Sequence, residues 1–306
     1  MKKKKNKPSE TAVNSRLISR PIRRCFVVFM LPTFAAFCIG FIWPFIQGLY
    51  LSFCTFTLPQ DAEFVGFANY AKAFADAGFR HSFVYTAAFA VVSIIAINLL
   101  AFMIAYLLTQ NIAGSNIFRT VFFMPNLIGG IVLGYIWSMI FDGILKRYGT
   151  YLLAETKYGF WGLIILMCWQ QIGYMMIVYI AGLQSVGEDM LEAAKIDGAN
   201  KWQTLIKIII PNVMSSITIC VFLTLTNSFK LFDQNLALTE GMPVAVQADG
   251  SMINTTEMLA LNIFKTFYAS ANSRGVAQAK AVMFFVLVAV LALAQLRFTR
   301  NKEVQQ

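Results

Sequence analysis

Glu192-Ala193-Ala194-Lys195-Ile196-Asp197-Gly198-Ala199, running on through Asn200-Lys201-Trp202-Gln203 to Ile208-Ile209-Ile210-Pro211, is a polar stretch between two long apolar runs. It reads as two short helices with a hinge. Ser185 followed three residues later by Glu188 fits a capping box, so a helix can start there. Met190 to Ile196 are mostly good helix formers. Asp197-Gly198 ends them, because glycine takes left-handed backbone angles without a Cβ penalty. Asn200, with Gln203 three residues on, offers a second start. Pro211 sits near the entry to the next apolar run. Ala193 and Ala194 leave a low surface on which another protein can pack closely.

The chain around this stretch has 306 residues, 58% hydrophobic and only 13% charged. Globular domains carry about 25% charged residues. A soluble core cannot absorb so much apolar surface, so the composition predicts an all-α polytopic membrane protein. At about 20 residues per crossing, roughly six spans are expected, over 25–53, 82–109, 117–141, 160–183, 206–232 and 276–297. Residues 1–24 form a basic tail holding nine of the 25 Lys and Arg residues. The positive-inside rule places that tail in the cytoplasm, where it can touch anionic lipid. With six spans, residues 184–205 and the tail 298–306 are cytoplasmic too. Inside segments then hold 16 Lys and Arg and outside segments 7, but without the tail the two sides tie at 7. Orientation therefore rests on the tail and on the parity of the spans. The net charge of +10 comes largely from this tail and does not imply nucleic-acid binding. The five cysteines lie in or beside apolar runs, and His81 is the sole histidine. This pattern fits neither a disulfide framework nor a protein-only metal site.

Other phrases join the first. Gly66, Asn69 and Tyr70 make a G-x-x-N-Y element before the second span. Arg119-Thr120 with Phe123 and Pro125 opens the third, where Pro125 and Gly129-Gly130 make the helix deformable. LALTEGMP (236–243) and Thr255-Thr256-Glu257 precede the sixth. Glu192, Ala193, Ala194, Gly198 and Pro211 resemble the EAA loop of ABC importer permeases, and the other phrases resemble the branch importing multiple sugars, maltose and glycerol phosphate, first-permease type. Met242 stands where that family commonly has glycine, which puts the local turn geometry in question. The resemblance covers about 25–297. It implies the ABC permease fold with a cytoplasmic coupling helix, in a bacterial cell membrane. It implies ATPase-coupling roles for Glu192, Ala193, Ala194, Asp197, Gly198 and Ala199. It also implies partners: a second homologous permease, two copies of a cytoplasmic ATPase carrying ATP and Mg, and an extracytoplasmic solute-binding protein.

No P-loop and no hydrolytic motif is present, so this chain is not expected to be an enzyme or to hold a cofactor of its own. Intramembrane polar residues are costly and tend to face a bundle interior or a water-filled cavity. Asn98, Asn126, Gln170, Gln171, Asn227 and Lys230 are candidates for a substrate pathway, joined by Asp233. Tyr174, Phe229 and Phe232 could stack on sugar faces. Each polar residue could equally hydrogen-bond a neighbouring helix. Two other readings stay open: an ATP-independent secondary carrier, which ion-gradient-dependent uptake would favour, and a receptor-like protein that only presents a docking loop. Within the ABC reading, a glycerol-phosphate-like solute is the alternative to an oligosaccharide.

Overall fold

The computed structural model describes residue 28 and residues 30–110, 112–248 and 250–300, the last two without their side chains. The basic tail 1–24 and residues 301–306 lie outside the described residues. Among the described residues, four helical segments are long and apolar enough to cross a membrane: α1 (Met30–Leu51), α3 (Ala77–Leu108), α6 (Thr156–Gln184) and Ala271–Phe298, which contains most of α12 (Arg274–Arg300). Two bent pairs bring the number of possible spans to six. Helix α4 (Ser115–Leu127) turns by 100° into α5 (Gly130–Tyr148), and α8 (Lys201–Asn212) turns by 70° into α9 (Met214–Phe229). Between them lie α2 (Ala68–Ala75), α7 (Glu188–Ile196), α10 (Asp233–Leu238) and α11 (Leu259–Ala269). Two small antiparallel hairpins complete the chain. One pairs β1 (Cys54–Thr55) with β2 (Glu63–Phe64), and the other pairs β3 (Val244–Val246) with β4 (Met252–Asn254), Ala245 facing Ile253.

The sequence predicts one continuous helix over 117–141, and the structure breaks it at Ile128-Gly129. Both residues are extended, with ψ of 134° and 139°. The turn before the break, which contains Pro125, is already tightened into a 3-10 helix over Met124–Leu127. The other prolines are absorbed differently. A π turn over Cys38–Ile42 precedes Trp43-Pro44, and another over Leu205–Ile209 precedes Ile210-Pro211. Widening the helix there accommodates a ring that would clash with the carbonyl one turn back.

Helices α3, α6 and α9 make the core. Phe89 and Ile97 of α3 pack with Leu163, Met167 and Met176 of α6 and Cys220 of α9. Small residues set how closely the helices approach. Gly173 of α6 lies directly against the backbone of Phe122 and Phe123, leaving no room for a Cβ. Gly182 lies against the side chains of Ser216 and Val213, where a Cβ would run into Ser216 Oγ. Gly130 and Gly134 seat α10, since a Cβ at Gly130 would meet Asp233 Cβ at 2.8 Å and one at Gly134 would meet Ala237 Cβ at 2.5 Å. Helix α1 stands apart, touching α12 through Phe45 on Phe285 at 5.1 Å between ring centres.

A Gly173→Val substitution is expected to destabilise the bundle by more than the roughly 1–3 kcal/mol of ordinary overpacking, because backbone rather than a side chain must move. Gly143→Val is the control, having no neighbour within 4 Å of a Cβ. Thermal unfolding in mild detergent separates the two, and equal midpoints would contradict the packing described.

Candidate functional site

The Glu192 stretch folds into an elbow. Glu188 and Asp189 lie in the first turn of α7 and Lys195 in its last, each complementing the helix dipole. Ala199 N–H donates to the Ala194 carbonyl at 2.9 Å and Gly198 N–H to that of Lys195 at 3.1 Å. With Gly198 at φ +74° this is a Schellman motif, which ties the spacing of Ala194, Gly198 and Ala199 to backbone geometry. Asn200 then caps α8: its side chain accepts from Gln203 N–H while Gln203 Oε1 accepts from Asn200 N–H, both at 2.8 Å. The capping box expected at Ser185 and Glu188 does not form. Ser185 Oγ donates instead to the Gly182 carbonyl at 2.7 Å, and Gly187 takes the N-cap place.

Ala194 is buried, and Val186 with Leu191 ties the elbow to the main core. Glu192, Ala193, Asp197 and Gly198 are exposed, and Ala199 is half-buried. Ile196 is 85% exposed and Trp202 72% exposed, with Ile206 also open. Ile196, Trp202 and Ile206 thus make an apolar patch on the outer side of the elbow.

The pathway candidates sort into groups. Tyr179 Oη donates to Asn98 Oδ1 at 2.8 Å, and Asn98 Nδ2 donates to Thr224 Oγ1 at 3.2 Å. Asn98 thus pins α3, α6 and α9 together. Buried Gln170 supports the break in the third span. Its Nε2 donates to the Ile128 carbonyl at 3.3 Å, and its Oε1 accepts from Gln234 Nε2 at 2.7 Å. Gln171 accepts from Asn227 Nδ2 at 3.3 Å, and neither residue is fully buried. Asn126 and Tyr174 are half-buried, Tyr174 against the main core, and Lys230 and Asp233 are exposed. Phe232 faces Phe264 across 5.0 Å. Phe229 does not join these, since its ring is buried with Phe79, Ala90 and Leu259.

A polar network at the opposite end of the bundle escaped the sequence reading. Lys280 is 0% exposed. Its ammonium donates to Asp76 Oδ2 at 2.5 Å, Asn262 Oδ1 at 2.9 Å and Thr266 Oγ1 at 2.7 Å. Asp76 also caps α3 by accepting from Gly78 N–H at 2.8 Å and Phe79 N–H at 3.3 Å. Glu257 accepts from Asn262 and Asn254, each at 2.6 Å, and pairs with Lys265 at 3.3 Å. Asn235 binds the Thr256 carbonyl and the Met258 N–H, fastening the turn at Gly241. In that turn Gly241 has φ +84° and Glu240 φ +50°, while Met242 keeps a negative φ and needs no glycine. A lone lysine inside an apolar run was the available signal.

The chain resembles known proteins along most of its length. Residues 97–303 match the family described as binding-protein-dependent transport system inner membrane component. The chain belongs to that family. A relative in Thermoanaerobacterium thermosulfurigenes, the probable starch degradation products transport system permease protein AmyD, is 41% identical over 91% of this chain and 94% of its own. The multiple sugar-binding transport system permease protein MsmF of Streptococcus mutans is 28% identical over 87% of this chain and 92% of its own. In fold, this permease superposes on a chain of a bacterial ABC transporter involved in importing the acidic polysaccharide alginate. The TM-score is 0.76 at 19% identity, covering 93% of this chain and 98% of that one. It is a multi-pass membrane protein.

Burial by itself would raise the Asp76 carboxyl pKa. The Lys280 ammonium and the Gly78 and Phe79 N–H groups outweigh it and hold the pKa below the ordinary carboxylate value. A lowered carboxylate stabilises the fold at neutral pH and loses that contribution as pH falls through the lowered value. Asp76→Ala is expected to cost roughly 3–5 kcal/mol, since it strands a buried ammonium. Lys280→Met should cost less, because Asp76 keeps its N–H partners and part of its contact with water. Unfolding midpoints of the three proteins between pH 7 and pH 3 test this. The advantage of wild type over Asp76→Ala should shrink in acid, and a pH-independent difference would refute the ion pair's role.

Proposed function

We propose that this permease forms half of the pathway of an ATP-driven oligosaccharide importer in a bacterial cell membrane, with the elbow Glu192–Ala199 coupling it to a cytoplasmic ATPase. The observation that carries the reading is the elbow itself: a stiff, backbone-determined joint, anchored by Ala194 and presenting Ile196 and Trp202 outward. The starch-product and multiple-sugar names of the relatives favour sugar cargo. Amide groups at Gln171 and Asn227 suit neutral hydroxyls, whereas a phosphorylated solute would ask for a cationic cluster.

One permease supplies one wall, so a second homologous permease supplies the other. Two ATPase copies hold the ATP and Mg, and an extracytoplasmic solute-binding protein delivers the cargo. A neighbouring structure of the alginate transporter contains a periplasmic protein bound to an alginate pentasaccharide. In this scheme both termini are cytoplasmic, on the same side as the elbow. ATP closes the ATPase dimer, the elbow moves with it, and the bundle exchanges two states of similar free energy.

Two measurements test the proposal. A tagged chain purified from native membranes in mild detergent should bring a second permease and an ATPase with it. A single-chain oligomer that still transports would refute the importer reading. Gly198→Val places a β-branched residue at positive φ, where it is strongly disfavoured, without a clash inside this chain. Sugar uptake should fall tenfold or more while ATP hydrolysis holds, and the unfolding midpoint of the bundle should shift little because the strain is relieved by local opening of the exposed elbow. Wild-type uptake by this variant would refute the coupling role.

A further inference from the structure

A groove of about 360 Å³ lies at the end of the bundle opposite the elbow, between α11, the start of α12 and Phe232. That volume is at the small end of ligand pockets. Its walls carry a ladder of rings. Phe232 and Phe264 are 5.0 Å apart, Phe264 and Tyr268 4.7 Å, and Tyr268 and Phe267 5.2 Å. Phe264 and Tyr268 are one helical turn apart on α11 and both exposed, Tyr268 to 68%. Gln278 brings an amide to the facing wall, and the Arg274 guanidinium stacks on Phe267 at 5.6 Å.

The ladder ends at Phe232. Two residues on, Gln234 bonds Gln170, and five residues before it Asn227 bonds Gln171. Phe232 thus lies within a few residues of two side chains that bond the pathway candidates Gln170 and Gln171. Aromatic faces carry negative charge density and edges positive. A gluco-configured ring suits such faces, because its equatorial hydroxyls point outward and leave a C–H surface above and below. Its hydroxyls would meet the Gln278 amide on the groove wall. An acyl chain would use the rings and not the amide.

Building on the importer reading, we propose that this groove is an entry subsite at which glucose-type oligosaccharides stack before reaching the pathway amides. The subsite is small enough to hold a short piece of a glucan chain, not a whole polymer.

The test uses the full chain with its co-purified partners in lipid nanodiscs. Maltotriose should produce a saturable change in indole emission in Tyr268→Trp beyond that of wild type. In cells, Tyr268→Leu should raise the KM for maltotriose uptake roughly two- to tenfold at unchanged kcat, as loss of a stacking contact made equally throughout the reaction would. Tyr268→Trp should keep a wild-type KM. No emission change with maltotriose overturns the subsite. So does quenching of the indole by brominated acyl chains that maltotriose does not relieve, which would make the groove a lipid site. Absence of an ATPase from the purified complex would count against the importer reading. A silent groove in a complex that retains its ATPase refutes the subsite alone.

Discussion

A single ammonium group, that of Lys280, sets the geometry of one end of this molecule. Burying a charge in an apolar bundle is costly unless every hydrogen-bonding site on it is used. An ammonium has three N–H donors, and Asp76, Asn262 and Thr266 take all three. Those acceptors come from the cap of α3 and from α11, while the lysine itself is on α12. Asn262 passes the constraint on to Glu257, and Glu257 to Asn254 and Lys265. Three helices and a hairpin therefore meet where one charge demands it. A half-satisfied network around so deeply buried an ammonium would be worse than none.

The other end obeys a different rule. There the chain is held by backbone geometry: a Schellman turn, a capping box and a proline that forces a π turn. Side chains are left free to face outward. Between the two ends, glycines at 173, 182, 130 and 134 let helices pack closely, Gly173 and Gly134 against backbone and Gly182 and Gly130 against side chains. A packed interior of this kind shifts as a body rather than deforming residue by residue. In the proposed scheme, motion delivered at the exposed elbow would be transmitted through this interior rather than dissipated in it.

Much of this was legible in the sequence. The apolar runs located the helices, Gly198 ended α7 as its type requires, and Asn200 with Gln203 formed the box their spacing announced. Ser185 and Glu188 carried the same signature and did not, because the Gly182 carbonyl lay within reach of the Ser185 hydroxyl at the frayed end of α6. The break at Ile128-Gly129 was foreshadowed by Pro125 and the paired glycines, but its angle was not. That angle depends on Gln170 and α10, which are remote in sequence. Lys280 was visible, whereas Asp76 as its partner lies 204 positions away and no local pattern links them. Phe229 looked like its neighbour Phe232, and only the packing of α9 turns one ring inward and leaves the other at the groove.

The two π turns have a consequence for comparing this chain with its relatives. A π turn holds one residue more than an α turn while leaving the helix faces on either side in phase. Each here sits just ahead of a proline, at Cys38–Ile42 and Leu205–Ile209. A relative with an ordinary turn at either place would align with a one-residue gap there and no other disturbance. Such a gap would record a change in helix winding, not the loss of a loop.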